Sequence, residues 1–219
     1  MTTKAMLIGD SVLYGAQGAG PNQPGGRLPI PPRQTLNTAQ SVYDFCYDHS
    51  QPGASFALLL SDDPAERALA GLPGGTSLAE LLAATDAGAV LINLGGNDSA
   101  DPVVLPANVR RVAAICLQAG KAFGFVGVID VNVASSYAYE PAGTSLWDSG
   151  YLARVSAIAA VAELLRQTCA YLDYPYVDVR NGVTISDWDG ITGDIVHPSQ
   201  AYSIQIFTHV ARVITDAST

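Results

Sequence analysis

Ala5-Met6-Leu7-Ile8-Gly9-Asp10-Ser11 stands near the start of the chain and decides how the rest of it is read. Four apolar residues in a row, without polar alternation, predict a short strand buried on both faces. Gly9 lets the backbone turn sharply at the carboxyl end of that strand. Ser11 is then held at the sheet edge, where open α/β sheets bind their ligands. Position alone makes Ser11 a candidate nucleophile. The same residues also suit a plainer role, with Asp10 and Ser11 turning the chain and capping the next helix.

Downstream, strand-like and helix-like segments alternate. Leu78 to Ala84 reads as a helix, and Ala89 to Leu94 as an apolar strand ending in Gly95-Gly96. Val104 to Ala119 is an amphipathic helix, Ala122 to Ile129 the next strand, and Tyr151 to Leu172 a long helix. A short strand, Tyr176 to Val179, and a helix, Gln200 to Thr215, follow. Apolar strands separated by helices predict a parallel sheet covered on both faces. The 219 residues, 48% of them hydrophobic, fit a single domain spanning 1–219. Two stretches break the rhythm: an inserted loop region at about 16–53, Gly/Pro-rich and then helix-like from Thr38 to Tyr47, and a long loop at about 131–150. Both leave the carboxyl ends of predicted strands and form natural walls for a cleft.

Charge and composition narrow the partners. A net charge of −9, with no Lys/Arg stripe, argues against nucleic acid. No apolar run is long enough to span a membrane. No basic and apolar leader precedes the first strand, so a cytoplasmic location is the default expectation, with secretion open if a leader has been removed. Cys46, Cys116 and Cys169 form no CxxC pair and no metal spacing. Cys116 and Cys169 fall within helical apolar patterns, as buried free thiols do.

A serine hydroxyl attacks an ester only when a base takes its proton and a third group orients that base. The chain holds three histidines, His49, His197 and His209. His49 reads as part of a polar loop and His209 as mid-helix. His197 stands in Asp194-Ile195-Val196-His197-Pro198, directly before the last helix, and Pro198 biases it away from helical geometry. An aspartate three residues earlier can hold the imidazole Nδ1 and leave Nε2 free; Asp194 equally suits a turn. Gly95-Gly96-Asn97-Asp98 ends the strand that starts at Ala89. Asn97 there can donate an amide N–H to a developing oxyanion.

Gly9-Asp10-Ser11, Gly95-Gly96-Asn97-Asp98 and Asp194-Ile195-Val196-His197-Pro198, in that order, resemble the SGNH hydrolases, also called the GDSL esterase/lipase family. The family's fourth element is a glycine following the second strand. Leu72-Pro73-Gly74-Gly75-Thr76-Ser77-Leu78 resembles it, with Gly74 as the match and Gly75 as the second choice. Ser55 to Leu60 resembles the family's first helix, and Arg67 to Leu72 its second strand.

The resemblance implies an α/β fold, a flavodoxin-like three-layer α/β/α sandwich with a central parallel sheet. It also implies Ser11 as nucleophile, His197 as general base and acid, Asp194 as its orienting partner, and Ser11, Gly74 and Asn97 as oxyanion donors. No cofactor or metal is expected, and no GxSxG elbow occurs. The expected activity is that of a serine esterase working through an acyl-serine. Its expected substrate is a small-acyl, most simply acetyl, ester of a carbohydrate or similar polar alcohol. Tyr14, Tyr137, Tyr139, Trp147 and Trp188 are candidates to line the cleft, since aromatics stack on sugar rings. The alternatives are a short-chain carboxylesterase, thioesterase or lysophospholipase of the same family, or a non-catalytic binding module that keeps the fold.

Overall fold

The apolar run at the start of the chain forms β1 (Thr3–Gly9), the second strand of a five-stranded sheet. The computed structural model describes residues 2–20, 23–40, 42–128, 149–179, 197–198 and 200–217. The sheet also contains β4 (Tyr43–Ser50), β5 (Ala89–Asn93), β6 (Ala122–Val126) and β7 (Tyr176–Val177), in the order β4-β1-β5-β6-β7. Every neighbouring pair is parallel. Parallel strands need crossover connections, and those connections place helices on both faces.

Strand residues point alternately to opposite faces, and the two cores follow from that. Met6 and Ile8 join Val90, Ile92 and Phe125 in one core. It is covered by α3 (Phe56–Leu59), α5 (Leu78–Ala84), α6 (Val104–Gln118) and α7 (Ser149–Leu172). Ala5 and Leu7 join Phe45, Leu91 and Val126 in the other core. It is covered by α1 (Ser11–Tyr14), α2 (Pro32–Ala39) and α8 (Gln200–Asp216). The three-layer α/β/α sandwich with a central parallel sheet therefore stands as expected. Cys116 and Cys169 are buried free thiols, and burial pushes both up to about 12.

The segment 16–53 differs from its reading as an inserted loop. It contains an antiparallel pair, β2 (Ala16–Gly20) and β3 (Gln23–Arg27), then α2, then β4 as a strand of the main sheet. The helix expected over Thr38 to Tyr47 ends at Ala39 instead. Gln40 stops it: its Oε1 accepts from the amides of Val42 and Tyr43, and its Nε2 donates to the Tyr43 carbonyl. Asn37 then binds both backbone groups of Phe45, which fixes the strand against the helix.

Arg67 to Leu72 is not a strand either. Asp63 caps α4 (Pro64–Leu69), its carboxylate accepting from the Ala65 amide, and Pro64 occupies the first turn. Residues 129–148 and 180–196, which include most of the long connection, lie outside the described residues. Among the described residues no helix is long and apolar enough to cross a membrane.

Phe125 sits at the centre of the first core, fully buried, with ring centroids of Phe123 at 5.8 Å and of Phe56 and Tyr174 at 6.2 Å. Phe125→Ala is expected to cost about 3–5 kcal/mol. Urea unfolding should show this as a lower midpoint at unchanged slope.

Candidate active site

Four chain segments meet at the carboxyl edge of the sheet, and hydrogen bonds tie three of them together. Gly9 ends β1 with α1 packed so close that a Cβ there would stand 2.6 Å from Leu13 Cβ and 3.0 Å from the Asn93 carbonyl. The Gly9 carbonyl accepts from the Gln51 amide at 2.9 Å, and the Asp10 amide donates to the Asn93 carbonyl at 3.0 Å. The turn carrying Ser11 is thus held between the loop after β4 and the loop after β5. Ser11 is the first residue of α1, half-buried, and Gly15 closes that single turn in the left-handed conformation, at φ 77°.

Asp10 is the buried charge of this edge. Its side chain accepts from the Val12 amide at 2.9 Å, and the nearby Gly96 amide also favours its ionised form. Burial outweighs those bonds and the nearby imidazole of His197, and its pKa is raised to about 6. His197, half-buried ahead of Pro198 and α8, therefore lies within electrostatic reach of the turn that carries Ser11.

The loop after β5 is shaped by close packing. Gly95 takes φ 127°, and a Cβ there would strike Val128 Cγ2 at 2.6 Å. A Cβ on Gly96 would stand 2.9 Å from Asp10 Oδ2. Asn97 is exposed at the loop tip, and its Nδ2 donates to the Ala54 carbonyl at 3.0 Å. Asp98 turns inward and caps α3, accepting from the Phe56 amide at 3.0 and 3.1 Å. Burial raises its pKa against those bonds.

The fourth expected element falls elsewhere in the fold. Gly74 lies in the 3₁₀ turn Pro73–Gly75, which follows helix α4 rather than a strand. It is exposed at φ 60° with open space around it. Arg67 holds that turn through the Gly75 carbonyl. Gly75 is sterically obligatory, since its Cβ would stand 2.2 Å from the Pro64 carbonyl oxygen. The second strand of the main sheet in chain order is β4, and the glycine that follows it is Gly53. Gln51-Pro52-Gly53-Ala54 is a tight turn closed by the Ala54 amide on the Gln51 carbonyl at 3.1 Å. Pro52 followed by Gly53 at φ 85° is the type II pattern. Gly53 thus adjoins the residue whose carbonyl holds Asn97. The Pro-Gly pair after an aromatic run, Tyr43-Asp44-Phe45-Cys46-Tyr47, was the signal available for it.

Tyr14 is half-buried at the end of α1, with the Arg27 guanidinium 4.5 Å above its ring. Arg27 Nε donates to the Tyr14 carbonyl, and its other end pairs with Asp48 at 3.3 Å. Asp194, Tyr137, Tyr139, Trp147 and Trp188 lie outside the described residues. His49 is in β4 rather than a loop, opposite Ile8, and burial lowers its pKa. Among the described residues no group of three or more His, Cys, Asp or Glu side chains is placed to hold a metal ion. A separate apolar cavity of about 430 Å³ opens at the opposite, amino edge of the sheet, between the strand starts and the last turn of α8. None of the candidate catalytic residues lines it.

Solved structures share this fold along nearly its whole length. An aryl esterase from M. smegmatis superposes with a TM-score of 0.70 at 14% identity, over 98% of this chain and 99% of that one. A carbohydrate acetylesterase from Sinorhizobium meliloti gives 0.67 at 15%, over 99% and 100% of the two chains. A lipase/acylhydrolase from Enterococcus faecalis gives 0.63 at 13%, over 99% and 97%. No model of a known protein family matches the chain, and no curated protein does. The chain has the fold of these ester hydrolases.

Asp10 makes stability depend on pH in an unusual direction. Its folded pKa, about 6, lies above the ordinary 3.8, so the native state binds the extra proton between those values. As pH falls from 7 to 4, the wild type should therefore gain up to about 3 kcal/mol relative to Asp10→Asn. Chemical denaturation of both proteins across that range checks the sign and the size.

Proposed function

We propose that the chain is a serine esterase of the SGNH hydrolase type, cleaving small-acyl esters, acetyl above all, of a carbohydrate or similar polar alcohol. The observation that carries this reading is the clamped sheet edge. Gly9 bound to Gln51, Asp10 to Asn93, and Asn97 to Ala54 gather the loops after β1, β4 and β5 around Ser11. His197 approaches from the start of α8.

In this reading His197 takes the Ser11 proton, and Ser11 Oγ attacks the ester carbonyl. The tetrahedral oxyanion is met by N–H groups already fixed in place, which act without reorganising as charge develops. Ser11 supplies its backbone amide. Asn97 supplies its side-chain amide, in which the bond to Ala54 uses one of two N–H groups and orients the other. For the third donor we assign Gly53 in place of Gly74, because Gly53 follows the strand next to β1 and adjoins Ala54. His197 then protonates the leaving alcohol, and afterwards activates water to release the acyl group from Ser11. Asp194 orients the imidazole.

The acetyl preference rests on similarity to a carbohydrate acetylesterase at 15% identity and on the aromatic residues placed around the cleft by the sequence. Tyr14 contributes to the alcohol side, its ring fixed by Arg27. Tyr137, Tyr139 and Trp147 contribute from the long connection.

With a chromogenic acetate ester, Ser11→Ala should lose activity by about 10⁴-fold or more. A phosphonate probe should label wild-type Ser11, as read by peptide mass spectrometry. Equal slow turnover by both proteins, without labelling, sinks the reading. Asn97→Ala should lower kcat by about 10²- to 10³-fold, while Gly74→Ala should stay within about twofold of wild type, since its site is open and its strain is local. A matching loss in Gly74→Ala would return the donor role to that turn. Acetyl esters should be cleaved faster than octanoyl esters, and the reverse order points to a lipase-like substrate.

A further inference from the structure

We propose that Asp10 is a positioning residue of this same site, whose ionised carboxylate locks the nucleophile turn to the oxyanion loop. The inference rests on the esterase reading above. Asp10 is only 4% exposed, so the carboxylate works out of water. Oδ1 takes the Val12 amide of the Ser11 turn at 2.9 Å. Oδ2 lies against Gly96, close enough that a Cβ on Gly96 would stand 2.9 Å away, and the nearby Gly96 amide favours the ionised form. One side chain thus spans the residue after the nucleophile and the residue before Asn97.

A helix cap alone does not account for this. The helix is one turn long, and a serine or asparagine in the same place would cap it as well. Meeting amides on both sides requires two acceptors and no donor, which among side chains of this size only an ionised aspartate offers. An asparagine that kept its oxygen on Val12 would turn its own N–H groups toward the Gly96 amide, donor against donor. Leu13 and the Asn93 carbonyl, both packed against Gly9, leave the turn little room to relax around such a clash. Protonation of Asp10 has a milder version of the same effect, because a neutral carboxyl group holds amide donors less strongly. The charged groups facing it are His197, whose imidazolium favours the ionised form, and Asp98, whose carboxylate opposes it.

The test compares wild type, Asp10→Asn and Asp10→Ser on a chromogenic acetate ester across pH 5 to 8, with phosphonate labelling of Ser11 in parallel. Serine keeps the cap but does not reach Gly96. Both variants are expected to lose about 10- to 100-fold in kcat, with KM changed by less than about threefold, because what is lost is geometry at the oxyanion. The ratio of wild-type to Asp10→Asn kcat/KM should shrink as pH falls from 8 to 5, because protonation of Asp10 costs the wild type part of what the variant has already lost. A structural role alone lowers the yield of folded enzyme and leaves that ratio unchanged with pH. An Asp10→Asn variant within about twofold of wild type at pH 8, or a ratio that does not change with pH, overturns the inference. Where Asp10→Asn does not fold, Asp10→Ser supplies the same ratio. An inactive, unlabelled wild type overturns the esterase reading itself.

Discussion

A carboxylate removed from water must be met by donors, and the way Asp10 is met organises the carboxyl edge of the sheet. Desolvation works against the charge, and its raised pKa reflects how incompletely the Val12 and Gly96 amides compensate. Those donors come from two different loops. The demand of one buried charge therefore fixes the separation between segments that are far apart in sequence. The glycines around it answer the same demand, Gly9 by admitting α1 against the strand end and Gly96 by admitting the carboxylate.

That arrangement depends on the sheet. Parallel strands end together at one edge, so the loops after β1, β4 and β5 emerge side by side, with the backbone groups at the strand ends still unpaired. Gln51 and Asn93 supply partners for Gly9 and Asp10, continuing the ladder for one step beyond the strands. The loops then diverge to present Ser11, Gly53 and Asn97. Asn93 itself is buried and donates onward to the carbonyl of Gly127, so the loop after β6 is drawn into the same framework.

The legibility of the chain followed burial. Met6 to Ile8 and Val90 to Ile92 are covered on both faces, so they read as unbroken apolar runs and were recognised as strands. β4 escaped because it is an edge strand, with Asp44 and Cys46 exposed to solvent. Its register against β1 also slips between Ala5 and Met6, leaving Cys46 as an extra residue and spoiling the period of two. Arg67 to Leu72 imitated a strand because Ala70 and Leu72 are buried, although Asp63-Pro64 ahead of it is a helix start. Losing β4 also moved the glycine expected after the second strand: Gly74 follows α4, whereas Gly53 follows β4. Ser11, Asn97 and His197 each sit beside a strong local signal: a strand end, a Gly-Gly turn, and a proline before a helix. Asp10 was read only as a turn residue, since the partners that define it lie 86 positions away and no local pattern announces them.

The contrast between Gly74 and Gly75 shows how fold and chemistry divide adjacent residues. Gly75 has a Cβ position filled by the Pro64 carbonyl, so glycine there is explained by packing alone. Gly74 has a left-handed φ and open space, and therefore a conformational reason for glycine without a steric one. Gly53 shares that combination, positive φ with nothing within reach of a Cβ, but stands beside the residue that holds Asn97. Backbone strain cannot separate the two candidates. In the proposed oxyanion site, adjacency to Asn97 can, because an oxyanion is small and its donors must converge within a few ångströms of one point. The bond from Asn97 to Ala54 ties the Gly53 turn to Asn97, whereas the bonds of the Gly74 turn lead back through Arg67 to α4.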